Sequence, residues 1–104
     1  MEVIARPRGA GKTTELVKLA YKNNACILVA SNQQRDIVWD IALKMGMESM
    51  PYPVTLKELQ ERRVGQGLIR RGFIIDNADI MLQEIIGFPI HAITVSTNDI
   101  SANL

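Results

Sequence analysis

Two runs of apolar residues, ACILVA at 25–30 and GFIID at 72–76, constrain the fold of this chain more than any other feature. Neither alternates apolar with polar side chains. Each has strand length and reads as a strand covered on both faces, the usual situation in a parallel sheet. Parallel neighbours require long crossovers, normally helical, and helix-period segments stand where those crossovers belong. Lys12 to about Asn23 carries Leu16, Val17, Leu19 and Ala20, and Asn23-Asn24 can end it because Asn tolerates the left-handed conformation. Ser31 or Asn32 can cap a second helix with the stripe Ile37, Val38, Ile41, Ala42 and Met45, which Gly46 would stop.

The remaining segments complete the alternation. Glu2 to Ala5 reads as a short first strand. Met47 to Val54 contains Pro51 and Pro53 and is expected to be a loop. Thr55-Leu56-Lys57-Glu58 has the form of a capping box, opening a third helix to about Val64. Gly65-Gln66-Gly67 should loosen the chain. Ala78 to Ile86 is expected to be a short helix stopped by Gly87 and Pro89, and His91 to Ser96 a last strand followed by a polar tail. The expected fold class is α/β, a three-layer αβα arrangement around a small, mostly parallel sheet, in one domain over residues 1–104.

Composition narrows the class. Apolar residues make up 47% and charged residues 22%, which is globular rather than disordered. A net charge of +1 creates no global field toward nucleic acid or membrane. No run approaches the roughly 20 apolar residues that span a bilayer, and the N-terminus lacks the apolar core of a signal peptide. The single cysteine, Cys26, cannot form an internal disulfide. Its place inside ACILVA suggests a small buried residue, and a reducing, cytoplasmic location is expected.

Between the first strand and the first helix lies ARPRGAGKTT, residues 5–14. A loop that wraps a phosphate needs inward-facing backbone N–H groups and no side chain at the closest approach. Gly9 and Gly11 supply that freedom. The following helix turns its free N–H groups and positive end toward the same anion. Lys12 adds a mobile positive charge, and the Thr13 hydroxyl is a hard oxygen suited to Mg²⁺. Gly11, Lys12 and Thr13 match the second half of G-x-x-x-x-G-K-[ST], while Arg6 stands where the first glycine would be.

This loop resembles the Walker A motif of P-loop NTPases. GFIID, ending at Asp76, looks like the Walker B strand, and AITVSTN at 92–98 looks like a strand ending in a polar sensor. ILVASNQQ at 27–34 is similar to the strand and turn after the first helix in helicase and terminase ATPase domains. The order of these pieces resembles the RecA-like division, over about residues 1–98. The resemblance implies strand order 1-4-3-2, a nucleoside triphosphate (ATP or another) held by Arg8, Gly9, Ala10, Gly11, Lys12, Thr13 and Thr14 with Asn98 sensing it, and Mg²⁺ held by Thr13 and Asp76. Lys12, Asp76 and Asn77 would be the catalytic set. It further implies a DNA-processing setting of phage or prophage type.

One position departs from that pattern. In the RecA-like division a glutamate follows the Walker B aspartate and polarises the attacking water. Here the residue is Asn77, whose amide can orient a water but is not a useful base. Slow or partner-dependent hydrolysis is therefore expected, with a non-catalytic, nucleotide-responsive protein-binding module as the alternative. Asp79 can serve as a substitute base or simply as part of a helix cap, and Glu84 is placed less well. Arg62, Arg63, Arg70 and Arg71 can contact DNA or a protein of a DNA-processing complex, or form a solvated face. The first strand would be a sheet edge, covered by the tail at 98–104 or by an oligomeric partner. Trp39 stands one position off the apolar stripe and is expected at the domain rim. His91 has no neighbour at metal-ligand spacing.

Overall fold

The structure, a computed structural model, describes residues 2–5, 11–96 and 99–100. In chain order the elements are β1 (Glu2–Val3), α1 (Lys12–Asn23), β2 (Cys26–Val29), α2 (Asn32–Lys44), β3 (Val54–Thr55), α3 (Leu56–Gln60), α4 (Gln66–Arg71), β4 (Phe73–Ile75), α5 (Ala78–Ile86) and β5 (Asp99–Ile100). β2 lies between β3 and β4 in a three-stranded, all-parallel sheet, with Leu28 opposite both Val54 and Ile75. β1 and β5 form a separate parallel pair, Glu2 opposite Asp99 and Val3 opposite Ile100.

The core sits where α1 and α2 meet β2. Val17 and Ala20 of α1, Ile27 and Val29 of β2, and Val38 and Ala42 of α2 are all fully buried, and Met50 closes the cluster from the loop that follows. All four residues of β2 are buried, as its unbroken apolar run predicts. β4 differs: Ile75 is 46% exposed. β4 forms one edge of the three-stranded sheet, so one side of it lacks the neighbour that covers β2.

Helix ends follow local chemistry. Ser31 caps α2 by accepting from the Gln34 N–H. Thr55 and Glu58 form the expected capping box, each side chain bonded to the other residue's backbone N–H. Gly46 ends α2 in the left-handed region at φ 68, with the Met47 N–H reaching back to the Ala42 carbonyl. Asn24 ends α1 the same way at φ 51.

Several expectations are corrected. α3 stops at Gln60 rather than near Val64, because Arg62 adopts φ 58 and the Arg63 N–H folds back onto the Glu58 carbonyl. This is the backbone pattern that glycine usually provides at a helix end. Residues 66–71 form α4 instead of loose chain, with Arg70 and Arg71 placed favourably at its negative end. Val54–Thr55 pairs with β2 as β3 instead of remaining loop, so the sheet gains a strand beyond β2. Residues 91–96 are not a strand and are exposed throughout. The residues that pair with β1 lie further on, in β5. The tail therefore pairs with one edge of β1, and the other edge has no strand partner among the described residues. Strand order 1-4-3-2 would need a link between the β1–β5 pair and β4, and no such pairing occurs among the described residues.

On α2, Ile37 was expected in the stripe but is 50% exposed, while Trp39 packs against the core. The indole meets the Tyr52 ring edge-on, 5.0 Å between centroids. Trp39 thus joins Val38, Ile41, Ala42 and Met45 on the core side of α2 in place of Ile37. Met45 and Met47 pack against the core and Met50 is buried, as gap-filling residues would. No helix of the described residues is long and apolar enough to cross a membrane.

Candidate functional site

Asp76 is the most informative polar residue in the fold. It follows β4 directly, and its backbone N–H donates to the Leu28 carbonyl across the sheet. Only 2% of it is exposed. A buried carboxylate is costly unless hydrogen-bonded or paired with a cation. One oxygen, Oδ2, accepts from the Gln34 amide at 2.9 Å and from the Thr13 hydroxyl at 3.4 Å. The other, Oδ1, is buried and has no hydrogen-bond partner among the described residues.

Three elements deliver these groups. Thr13 is the second residue of α1, Gln34 lies in the first turn of α2, and Asp76 directly follows β4. Parallel strands put their carboxyl ends on one rim, and helices begin there, so residues 63 positions apart in sequence come together. Gly11 precedes α1 at φ 76, a left-handed turn that L side chains rarely adopt. It offers α1 no side-chain cap, so the N-cap residue itself does not compete with an anion for the first N–H groups of this 12-residue helix. Lys12 and Thr14 flank Thr13 in that same first turn and are half-buried.

Gln34 was not singled out by sequence as a site residue. The signal was weak: a glutamine just after a helix cap is ordinary, and only the tertiary contact distinguishes it from Gln33. Asn77 takes φ 54, ψ 58 and begins α5 without a side-chain capping bond. Simple side-chain capping therefore does not account for it. Asp79 is exposed in the first turn of α5, and Glu84 is exposed further along. His91 is exposed, and no group of three or more His, Cys, Asp or Glu that could hold a metal occurs among the described residues. Arg8, Gly9, Ala10, Thr97 and Asn98 lie outside the described residues, as does Arg6.

The donor set at Asp76 fits a small hard cation. Mg²⁺ binds through one or two protein oxygens and keeps waters and phosphate oxygens as its other ligands. Thr13 Oγ1 and Asp76 supply two such oxygens, and Oδ1 is the unsatisfied one. Cys26, by contrast, is inert: burial pushes its thiol up to about 11, and it donates to the Tyr52 carbonyl at 3.4 Å.

The comparisons with known proteins add no family: no family model, curated protein or solved structure matches this chain.

Proposed function

We propose that this protein binds a nucleoside triphosphate, ATP or another, together with Mg²⁺, at the rim formed by Gly11–Thr14, Gln34 and Asp76, and that its hydrolysis is slow or needs a partner. The observation that carries this reading is the convergence on Asp76. A buried carboxylate accepts from Thr13 at the start of a helix opened by Gly-Lys-Thr, and keeps one oxygen without a partner among the described residues. The resemblance to the RecA-like P-loop NTPases supports it, and with that resemblance come the αβα layering, strand order 1-4-3-2, and a setting in phage DNA replication, recombination or packaging.

The roles follow from chemistry. Backbone N–H groups from residues 9–14 would cradle the phosphates, with Arg8 at the loop entrance and Asn98 as sensor. Lys12 would neutralise their charge. Thr13 and Asp76 would hold Mg²⁺, which when bound neutralises charge between the phosphates. Gln34 keeps the Asp76 carboxylate in one orientation. Asn77 would orient a water by hydrogen bonding without accepting its proton.

The alternative of a nucleotide-responsive protein-binding module is favoured by one observation. Asn77 is an amide where a base is needed, and its side chain makes no capping bond to α5. Turnover of ATP with Mg²⁺, with and without DNA, separates the two readings when Lys12→Ala serves as the blank. Turnover above the blank supports the ATPase. Turnover equal to the blank with nucleotide still bound by the native protein supports the module. No nucleotide binding at all overturns both.

A further inference from the structure

A second site lies away from Asp76. A cleft of about 470 Å³ opens beside β3, and neither Thr13, Gln34 nor Asp76 lines it. Three arginines converge on it: Arg35 from α2, Arg63 from the turn after α3, and Arg71 from the end of α4. One carboxylate, Glu58, faces them. Tyr52 and Leu68 supply apolar wall.

The three guanidinium groups differ in freedom. Arg35 is fixed: its side chain is 13% exposed, Nη2 bonds Glu58 and, at 3.1 Å, Asn32, and its guanidinium carbon lies 5.2 Å from the Tyr52 ring centroid. Glu58 has its carboxyl held below the usual range because the Thr55 backbone N–H, then the Thr55 hydroxyl and then Arg35 favour the charged form. Arg63 pairs with Glu61 at the surface, at 57% side-chain exposure, and such a pair exchanges readily for a stronger anion. Arg71 has no ion pair among the described residues. The cleft therefore has a rigid wall at Arg35 and two adaptable cations at Arg63 and Arg71.

We infer that this cleft binds a nucleotide unit, free or within a single strand, with its phosphate on Arg63 and Arg71 and its base and sugar against Tyr52 and Leu68. Planar guanidinium forks match phosphate oxygens in pairs. A bare phosphate would leave most of the volume and the apolar wall unused, whereas pockets of this size suit ligands of nucleotide dimensions. Of the four arginines clustered in sequence, Arg62 and Arg70 do not line the cleft, which provides an internal control.

The test uses the full chain carrying Lys12→Ala, so that binding at the phosphate loop is removed from the readout. Trp39, the single tryptophan, contacts Tyr52 and reports on the cleft by fluorescence. The probes are thymidine monophosphate, an oligothymidylate of about ten nucleotides, and inorganic phosphate. Binding of the first two is expected, weakening roughly 2.5- to threefold for the strand between about 50 and 200 mM salt as its one seated phosphate is neutralised. The double variant R63Q/R71Q should lose about tenfold or more, and R62Q/R70Q less than about threefold.

Equal affinity for monomer and strand identifies a free nucleotide; tighter strand binding identifies single-stranded nucleic acid. The inference is overturned by equal losses in the two double variants, by inorganic phosphate competing as well as the monomer, or by no binding up to about 1 mM monomer. None of these outcomes bears on the Lys12-dependent reading of the Asp76 rim.

Discussion

At the scale of single residues, Asp76 and Cys26 illustrate how burial sets chemistry. Asp76 places a carboxyl group in the interior with one oxygen unpartnered among the described residues, a cost that a bound cation would offset. Asp76→Asn keeps an acceptor for Thr13 and Gln34 while removing the charge. The metal-free variant is expected to gain about 1 kcal/mol of stability by urea denaturation, and to lose any Mg²⁺ dependence of nucleotide affinity. Cys26 titrates in the opposite sense to an ordinary carboxylate in a salt bridge. Its folded value near 11 lies above the ordinary 9.0, because burial disfavours the thiolate. The folded state therefore holds the proton more tightly, and this contribution is complete below pH 9.0 and lost as pH rises to about 11. Cys26→Ala should show a shallower decline in stability across that window, the difference reaching about 2 kcal/mol. Below pH 9 the native thiol should resist alkylation.

The helices and strands owe their limits to a few backbone positions in the left-handed half of conformational space. Gly72 joins α4 to β4 at φ 82, ψ 179, a region nearly restricted to glycine. A Cβ there would meet nothing within 4 Å, so the cost of Gly72→Ala is purely backbone and should be about 1–3 kcal/mol. Arg62 presents the reverse case. It ends α3 at φ 58 with a side chain that glycine lacks, and Arg62→Gly should stabilise by about 1 kcal/mol. Opposite signs for these two substitutions in thermal unfolding check the assignment of both helix ends. Element boundaries were legible where the terminating residue is itself diagnostic, as at Asn24, Gly46 and Gly87. At Arg62 nothing in the residue type announces the turn, and the helix is shorter than its capping box suggests.

At the scale of the whole molecule, the two candidate sites share the first turn of α2. Gln34 reaches inward to Asp76, and its neighbour Arg35 reaches outward to Glu58 and the arginine cleft. Ligand that binds only the folded chain stabilises it in proportion to its concentration, by about 2.7 kcal/mol at a hundredfold excess over Kd. ATP with Mg²⁺ should therefore raise the melting temperature of the native protein, and Lys12→Ala should reduce the shift to the part that the arginine cleft supplies, without lowering the ligand-free value. A shift that persists in Lys12→Ala points away from the phosphate loop. The sequence alone determined the α/β class, α5 to the residue, α1 but for the exact place of its end, and the buried status of β2. Each follows from local periodicity or capping, which a chain carries wherever it goes. The pairing of Thr13 with Asp76 was expected only from the resemblance to the P-loop NTPases. Tertiary structure decided the rest. It recruited Gln34 to Asp76, turned Trp39 inward and Ile37 outward, paired Val54–Thr55 with β2, and set β5 rather than residues 91–96 against β1. These depend on which surfaces meet, and a β-branched run or a half-polar helix face has no fixed partner until the surrounding elements are in place.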